Sequence, residues 1–495
     1  MTEITRRNSQ TTEHDTLIIP FDNKINFSCQ TYKRAAEEVS TVLKSGLFKG
    51  DYQEVYSLST IFEGNLLNIV LLGLGEKENL ENRDIFLSFS KAFSICKGLK
   101  SNNVKVLLDN ASNILNKYEI IEKICESALL ANYDFKNYKT ITANNSIKEI
   151  EFETTYENFE EALKEAEICG NCTNLARNLI NQPSAFMTPA QLAKEAENAK
   201  KYPHISVSVL DKKKIEELDM NAFLAVGKGS PNEPKLIVIK YTNGTDNKVI
   251  SLIGKGITYD SGGYCLKSPD SLPTMHGDMA GAAAVIGAML AIAQMELKIN
   301  VTGIIAACEN KISGDAYVPG DIVKSMSGKF IEINNSDAEG RLTLADAITY
   351  AIKIEKTDVV IDIATLTGAV ITALGNRTAG LVTNNDKLAD ITLKASKIAC
   401  EKVWRLPADK ELRHALDSNV ADIRNSSHDR NDVGGNTILG GLFLQEFVNN
   451  KPWAHIDIAS TGWTSEDLPY CRKGGVGFGT SLLYNIVKLM SADEI

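Results

Sequence analysis

Two short stretches hold most of the reactive side chains in this sequence. The first, GKGITYDSGGYCLKSPDSLPTMHGDMAG, carries Lys255, Asp260, Lys267 and Asp278 among glycines that permit sharp turns. The second, NNSDAEGRL, carries Asp337, Glu339 and Arg341 at alternate positions. In extended chain that spacing sets two carboxylates and a guanidinium on one side. The stretches follow KVISLIG (Lys248 to Gly254), which reads as a strand, and the short segment KFIEI (Lys329 to Ile333). Sites in open α/β sheets form beyond the carboxyl ends of strands, so both stretches are expected at one sheet edge. Four carboxylates gathered there repel one another unless something neutralises them, and divalent cations are the usual answer. Asp260, Asp278, Asp337 and Glu339 are therefore candidate oxygen ligands for a pair of ions that activates a water for hydrolysis. Taken singly, each has a plainer reading. Asp278 precedes a helical run and reads as an N-cap, Arg341 as a salt-bridge partner of its two acids, and Lys267 as a snorkelling surface lysine. Their joint occurrence is what favours the metal reading.

Periodicity supplies the elements that must position these residues. Residues 1–157 alternate strand-like runs (Leu17 to Phe21, Asn68 to Gly75, Lys105 to Asp109) with amphipathic helical patterns (Tyr32 to Gly46, Asp84 to Leu99, Tyr118 to Tyr133). That alternation implies a small N-terminal α/β domain with a largely parallel sheet. Chemistry is not concentrated in it: it has one histidine, His14, and its Gly73-Leu74-Gly75 turn lacks the third glycine of a dinucleotide fingerprint. A charged, period-3.6 stretch from Asn158 to Leu179 reads as a connecting helix. Pro183 and Pro189 then mark a linker, so that 158–190 joins the two domains. In residues 191–495 the runs Pro234 to Tyr241, Lys248 to Gly254, Val301 to Cys308 and Asp358 to Thr365 are apolar throughout. Such strands are buried on both faces, which predicts a larger C-terminal α/β domain whose central mixed, mostly parallel sheet has helices on both sides. The uncharged run from Met279 to Met295 has the makings of a membrane span, but it is slightly short and rich in alanine and glycine. It is expected to be a tightly packed buried helix.

Composition narrows the class. With 495 residues, 43% of them apolar, the chain can bury sizeable cores, and a net charge of −10 argues against nucleic acid as a partner. The nine cysteines are scattered and odd in number, which suits a reducing cytosol. The first residues show neither a secretory signal nor an anchor, so no membrane association is expected. Cys169 and Cys172 have the spacing of a redox or zinc pair, but they lack a second pair nearby, sit on the expected connecting helix and read as structural. His276 is left out of the ligand set; Lys311 and Asp315 flank a Ser-Gly turn where they could touch substrate, and a loop location explains them equally well.

The segments GKGITYDSGGYCLK and NNSDAEGRL, with IDIATLTGA (Ile361 to Ala369), PGDIV (Pro319 to Val323) and PWAHIDIAS (Pro452 to Ser460), strongly resemble the cytosolic leucyl aminopeptidase family of two-metal exopeptidases. The resemblance covers most of Asn171 to Leu483; over the first domain it rests on domain order alone. It implies that Lys255, Asp260, Asp278 and Glu339 hold a tighter metal, and Asp260, Asp337 and Glu339 a more exchangeable one. It implies Lys267 and Arg341 as the catalytic pair, Lys267 stabilising the oxyanion and Arg341 holding a bicarbonate that relays protons. Asn335, Leu366 and Gly368 resemble the residues lining the bound peptide end, and Met275 part of the side-chain pocket. The implied protein takes two Mn²⁺ or Zn²⁺ ions per chain. It cleaves peptides with a free N-terminus, with a leucine-like preference, as a cytoplasmic homohexamer. Two departures stand out: Ala280, where the family commonly has glycine, and Thr461-Gly462, where it often has a larger pocket-lining residue. A two-metal phosphoesterase is the nearest alternative, but no phosphate-cradling glycine loop is present and a metal-ligating lysine would be out of place. A non-catalytic structural or DNA-binding assembly unit ranks last, because every site position keeps suitable chemistry.

Overall fold

The computed structural model describes residues 2–6, 14–22, 33–76, 80–140, 146–427 and 434–492. Tyr32, the expected start of the first helix, lies outside them. The chain divides into two compact units, Met1–Asn171 with Glu466–Arg472, and Cys172–Ser465 with Lys473–Ile495.

The smaller unit is built on β1 (Glu3–Arg6), β2 (Thr16–Asp22), β3 (Val55–Phe62), β4 (Asn65–Gly75), β5 (Asn103–Leu107) and β6 (Glu149–Glu153), with helices α1 (Lys33–Ser45), α2 (Asn82–Gly98), α3 (Ser112–Leu115) and α4 (Tyr118–Asn132). The strand order is β1-β6-β5-β2-β4-β3, and every pair is parallel except the β3–β4 hairpin. Strands expected at Leu17 to Phe21 and Asn68 to Gly75 lie inside β2 and β4. The third is displaced, because the chain turns into a 3₁₀ helix at Leu108–Ala111. The strands β1, β3 and β6 carry alternating polar residues, as in EIEFE, and gave no continuous apolar run to find.

Helix α5 (Phe159–Ile180) is followed in the larger unit by α6 (Pro189–Glu197), α7 (Lys212–Glu217), α8 (Asn221–Gly227), α9 (Ala280–Gln294), α10 (Glu339–Lys353), α11 (Ala369–Leu374), α12 (Asp386–Ile398), α13 (Asn436–Gln445) and α14 (Thr480–Ala492). Its strands include β7 (Ile205–Leu210), β8 (Lys235–Thr242), β9 (Ile250–Asp260), β10 (Asn300–Asn310), β11 (Ile322–Lys324), β12 (Phe330–Glu332), β13 (Val359–Ala364), β14 (Ala379–Thr383), β15 (Val403–Arg405), β16 (Ile423–Arg424) and β17 (Trp453–Asp457). Eight of them form a sheet of order β15-β14-β17-β13-β9-β10-β8-β7, and β11, β12 and β16 form a small one. The central strands β17, β13, β9 and β10 run parallel, with antiparallel partners at β8 and β14.

Helices cover both faces. Ile253 on β9 packs into a cluster with Leu342 and Ala345 of α10 and Phe443 of α13. The next residue, Gly254, has its Cβ position 2.7 Å from Ala282 of α9. Successive strand residues point to opposite faces, so α10 and α9 lie on opposite sides of the sheet. The small residues of α9 are what let it approach: a Cβ on Gly281 would stand 2.1 Å from the Ile363 carbonyl oxygen. The stretch Leu272–Gln294 is long and apolar enough to cross a membrane, yet 83% of its apolar window is buried within the protein, as a core helix would be.

Candidate metal centre

The site grows from the carboxyl end of β9, which carries both Lys255 and Asp260. Strict alternation over five positions sends them to opposite faces. The β9–β10 register shifts between Cys308 and Glu309, where Ile257 pairs with Cys308 and Tyr259 with Glu309. One extra residue on β9 reverses the alternation and returns Asp260 to the side of Lys255. Gly262 and Gly263 then turn the chain with φ of +85° and +61°, and a Cβ on Gly262 would meet the Cys265 carbonyl at 2.6 Å and Asp337 Oδ1 at 2.9 Å. The turn closes through Lys267 N donating to the Ser261 carbonyl at 3.0 Å, which brings Lys267 back over Asp260.

Asp278 comes from the junction between the 3₁₀ helix Leu272–Gly277 and α9. It does not cap α9, whose N-cap position is Met279, so its carboxylate is free for the site. Nor is NNSDAEGRL extended, which corrects the alternate-position argument. Asp337 lies in a turn, Glu339 is the first residue of α10 and Arg341 is in its first turn. The helix N-terminus favours the Glu339 carboxylate through the macrodipole. Ala280, the departure in α9, is buried in the first turn, and the Cβ position of Gly462 faces it at 3.3 Å.

Two lysines divide the four acids between them. Lys255 Nζ lies 2.9 Å from Asp278 and 2.7 Å from Glu339; Lys267 Nζ lies 2.8 Å from Asp260 and 2.5 Å from Asp337. Lys267 is thus not a surface lysine. Burial and the charge of Glu339 raise Asp260; burial, with the charges of Glu339 and Asp260, raises Asp278 well above its usual value; and burial with the charge of Asp260 raises Asp337. Burial works against the charge of both lysines, but the acids around them outweigh it and raise them as well.

The residues fit divalent cations. Ligand atoms of Asp260, Asp337 and Glu339 lie within 4.8 Å of one another. Glu339 Oε2 is buried with no donor, and Asp278 Oδ2, Asp337 Oδ1 and Glu339 Oε1 are buried with only the lysine ammoniums against them. Buried acceptors left this way are costly, and a cation answers them.

Arg341 is buried, and its Nη1 donates to the Asn425 carbonyl at 2.6 Å while Nε has no partner. Burial lowers it to about 10 despite the charges of Glu339 and Asp457. Among the described residues no carboxylate lies within 4.0 Å of it, so the plain salt-bridge reading does not describe it. Asn335 accepts from Asp337 N at 2.9 Å and steadies the turn carrying that acid. Leu366 follows β13, and its N donates to Asp457 Oδ1 at 3.2 Å. Gly368, exposed at the N-cap of α11, and Met275, half-buried on the 3₁₀ helix, lie outside the polar network.

His276 packs edge-on against Trp463, centroids 5.2 Å apart, and contacts the Pro273 carbonyl. Lys311 pairs with Glu309 at 2.8 Å. Cys169 and Cys172 are buried, and burial pushes Cys172 up to about 12.

Sequence reasoning missed the residues that brace the cluster. Asn310 Nδ2 donates to Asp260 Oδ1 at 2.8 Å and to the Ser336 carbonyl at 3.0 Å. Ser336 takes Cys265 N and gives its hydroxyl to the Gly262 carbonyl, both at 2.8 Å. Thr365 donates to Asp278 Oδ1 at 2.7 Å and accepts from Lys255 through its carbonyl at 2.9 Å. Asn310 had a visible signal: it is a polar residue closing the apolar run VTGIIAACEN beside β9, paired in register with Asp260.

Residues 174–484 match the Cytosol aminopeptidase family, catalytic domain, and residues 26–142 its N-terminal domain. A probable cytosol aminopeptidase of Clostridium perfringens is 42% identical, over 97% of this chain and 98% of that relative. One of Clostridium tetani is 44% identical over 93% and 95%. Among solved structures, the bottromycin maturation enzyme BotP is similar with a TM-score of 0.84 and 29% identity, covering 97% of this chain and all of that one. The same enzyme in complex with Mn gives 0.83 at 29% identity, over 96% and 99%.

Proposed function

The chain belongs to the cytosol aminopeptidase family and is a metal-dependent aminopeptidase, a hydrolase; on that premise we propose that it removes single residues from the free amino end of peptides with two divalent ions per chain. The observation that carries the two-ion reading is the cluster of Asp260, Asp337 and Glu339, within 4.8 Å, beside the buried pair Lys255 and Asp278. Lys255, Asp260, Asp278 and Glu339 would hold one ion, and Asp260, Asp337 and Glu339 the other. Divalent ions supply Lewis acidity there, polarising the scissile carbonyl and lowering the pKa of the attacking water. Mn²⁺ or Zn²⁺ is the expected metal, and the Mn complex of the structurally similar BotP supports the former.

Lys267, less deeply buried than Lys255 and held charged by the acids, meets the negative charge that develops on the attacked oxygen. Arg341 keeps an unused Nε for a small anion, bicarbonate, that relays protons. Asn335, Leu366 and Gly368 line the bound peptide end, and Met275 borders a pocket for a leucine-like side chain. The names of the relatives support a cytoplasmic protein, and resemblance supports a homohexamer; neither nucleic acid nor membrane is proposed as a partner.

The test is chromophore release from leucyl anilide by metal-stripped protein, with and without Mn²⁺ or Zn²⁺, beside the N-acetylated anilide. Metal-dependent cleavage of the free amine alone is expected. Comparable rates on the blocked and free substrates would sink the exopeptidase reading.

A further inference from the structure

Asp457 closes β17 with no exposed surface and makes no contact with the acid cluster in the hydrogen-bond network. Its carboxylate works on the turn that follows β13. Oδ1 accepts Leu366 N at 3.2 Å and Ala459 N at 3.1 Å, and Oδ2 accepts the Thr367 hydroxyl at 2.6 Å. That hydroxyl also lies 2.9 Å from Thr437 of α13. Register places the contact: Ala364, the last residue of β13, sits opposite Asp457, and Ile458 N donates to the Ala364 carbonyl at 2.8 Å. The chain is therefore pinned at Ala364 and again at Leu366 and Thr367. Between the pins stands Thr365, whose carbonyl meets Lys255 and whose hydroxyl meets Asp278. Behind them Asp362 on β13 accepts the Trp453 indole N–H at 2.7 Å and pairs with His455, which fastens the two strands in this register.

We infer that Asp457 is a positioning residue for the metal centre: by fixing the Leu366–Thr367 turn it aims the carbonyl and hydroxyl of Thr365 at Lys255 and Asp278. This rests on the reading of Lys255 and Asp278 as metal ligands. Groups behind the ligands set their orientation, and losing one typically costs about 10–100-fold in metal affinity. Asp457 acts one step further back, so its effect must pass through Thr365.

The experiment is equilibrium dialysis of Mn²⁺ against the metal-stripped full chain, with thermal melting to confirm folding. Asp457→Ala and Thr365→Val should each weaken one Mn²⁺ site by about 10–100-fold. The double variant should be no weaker than the weaker single, since two steps of one path do not add. Asp457→Asn keeps an oxygen for the Leu366 amide and turns its amide N–H toward the Thr367 hydroxyl, whose proton then goes to Thr437 instead of to Asp457. It should restore most of the affinity. Should Asp457→Ala fail to fold, Thr367→Val removes one of the same bonds and should give a smaller loss, again non-additive with Thr365→Val. Additive losses, unchanged affinity in folded Asp457→Ala, or an Asn variant as weak as Ala would each overturn the inference. Wild type that binds no Mn²⁺ overturns the ligand reading and the inference together, whereas tight wild-type binding with an unaffected Asp457→Ala overturns the inference alone.

Discussion

A Cβ on Gly340 would stand 2.6 Å from Lys255 Cε and 2.9 Å from its Nζ. Helix α10 therefore passes Lys255 at a distance only glycine permits, immediately after contributing Glu339. Lys255 cannot yield cheaply, because it is buried and bonded to Asp278, Glu339 and the Thr365 carbonyl. Gly340→Ala should push the amine off its acids while α10, a good setting for alanine, keeps its helix. Tight metal should weaken about 10–100-fold, and the melting temperature should fall, because a buried ion pair is disturbed. Elemental analysis and a thermal melt check both, and an alanine variant with full metal content would show that Lys255 has room to move.

Arg341 separates two roles by a single substitution. A group that positions a proton-relaying anion should cost on the order of 10²-fold or more in kcat when removed. It holds no acid of the cluster within ion-pair distance among the described residues, so Arg341→Ala should keep both metals. Retained activity would remove Arg341 from the mechanism. A variant that unfolds would assign it instead to the hydrogen bond with the Asn425 carbonyl.

Much of the larger unit was legible because burial on both faces writes an unbroken apolar run, as in β10 and β13, and because close packing writes the alanines and glycines of α9. The candidate acids were legible because turns of glycine rarely carry so many carboxylates. Their arrangement was not. The period of two in Asp337, Glu339 and Arg341 belongs to a turn entering a helix, and the bulge that unites Lys255 with Asp260 leaves no mark in a strand of apolar residues. The bracing groups Thr365 and Asp457 act across strands far apart in sequence, where spacing carries no signal. In the smaller unit, β3 and β6 were hidden by the polar residues of their exposed or ion-paired faces.

Asp346 gives the larger unit a pH dependence of unusual sign. It is buried on α10, accepting Phe223 N at 2.9 Å and Met326 N at 2.8 Å. Burial raises it from 3.8 to about 7, although those amides favour the ionised form. The folded state then holds a proton that the unfolded state has released, so its contribution to stability is full below about pH 4 and is lost as pH rises toward 7. Asp346→Asn removes the titrating group and keeps an acceptor. The wild-type melting temperature, followed from pH 5 to 8 with metal content fixed, should fall relative to that of Asp346→Asn. Parallel curves would mean that Asp346 is ionised throughout.

Lys255 and Lys267 divide one acid cluster between them, and on the proposed ligand set they end in opposite protonation states when metal is bound. A lysine ligates only through the lone pair of its neutral amine, so the Asp278 and Glu339 charges that now hold a proton on Lys255 must be answered by the cation instead. Lys267, shared between Asp260 and Asp337, has no such bond in this reading and keeps its charge for the attacked carbonyl. Arginine preserves charge but offers no lone pair. Lys255→Arg should therefore abolish tight metal binding, whereas Lys267→Arg should leave both ions in place and lower kcat. Wild-type affinity should also fall as pH falls, because protons compete for the Lys255 amine and for carboxylates already raised by burial. Two ions per chain in Lys255→Arg, measured by elemental analysis after loosely held metal is removed, would take Lys255 out of the ligand set.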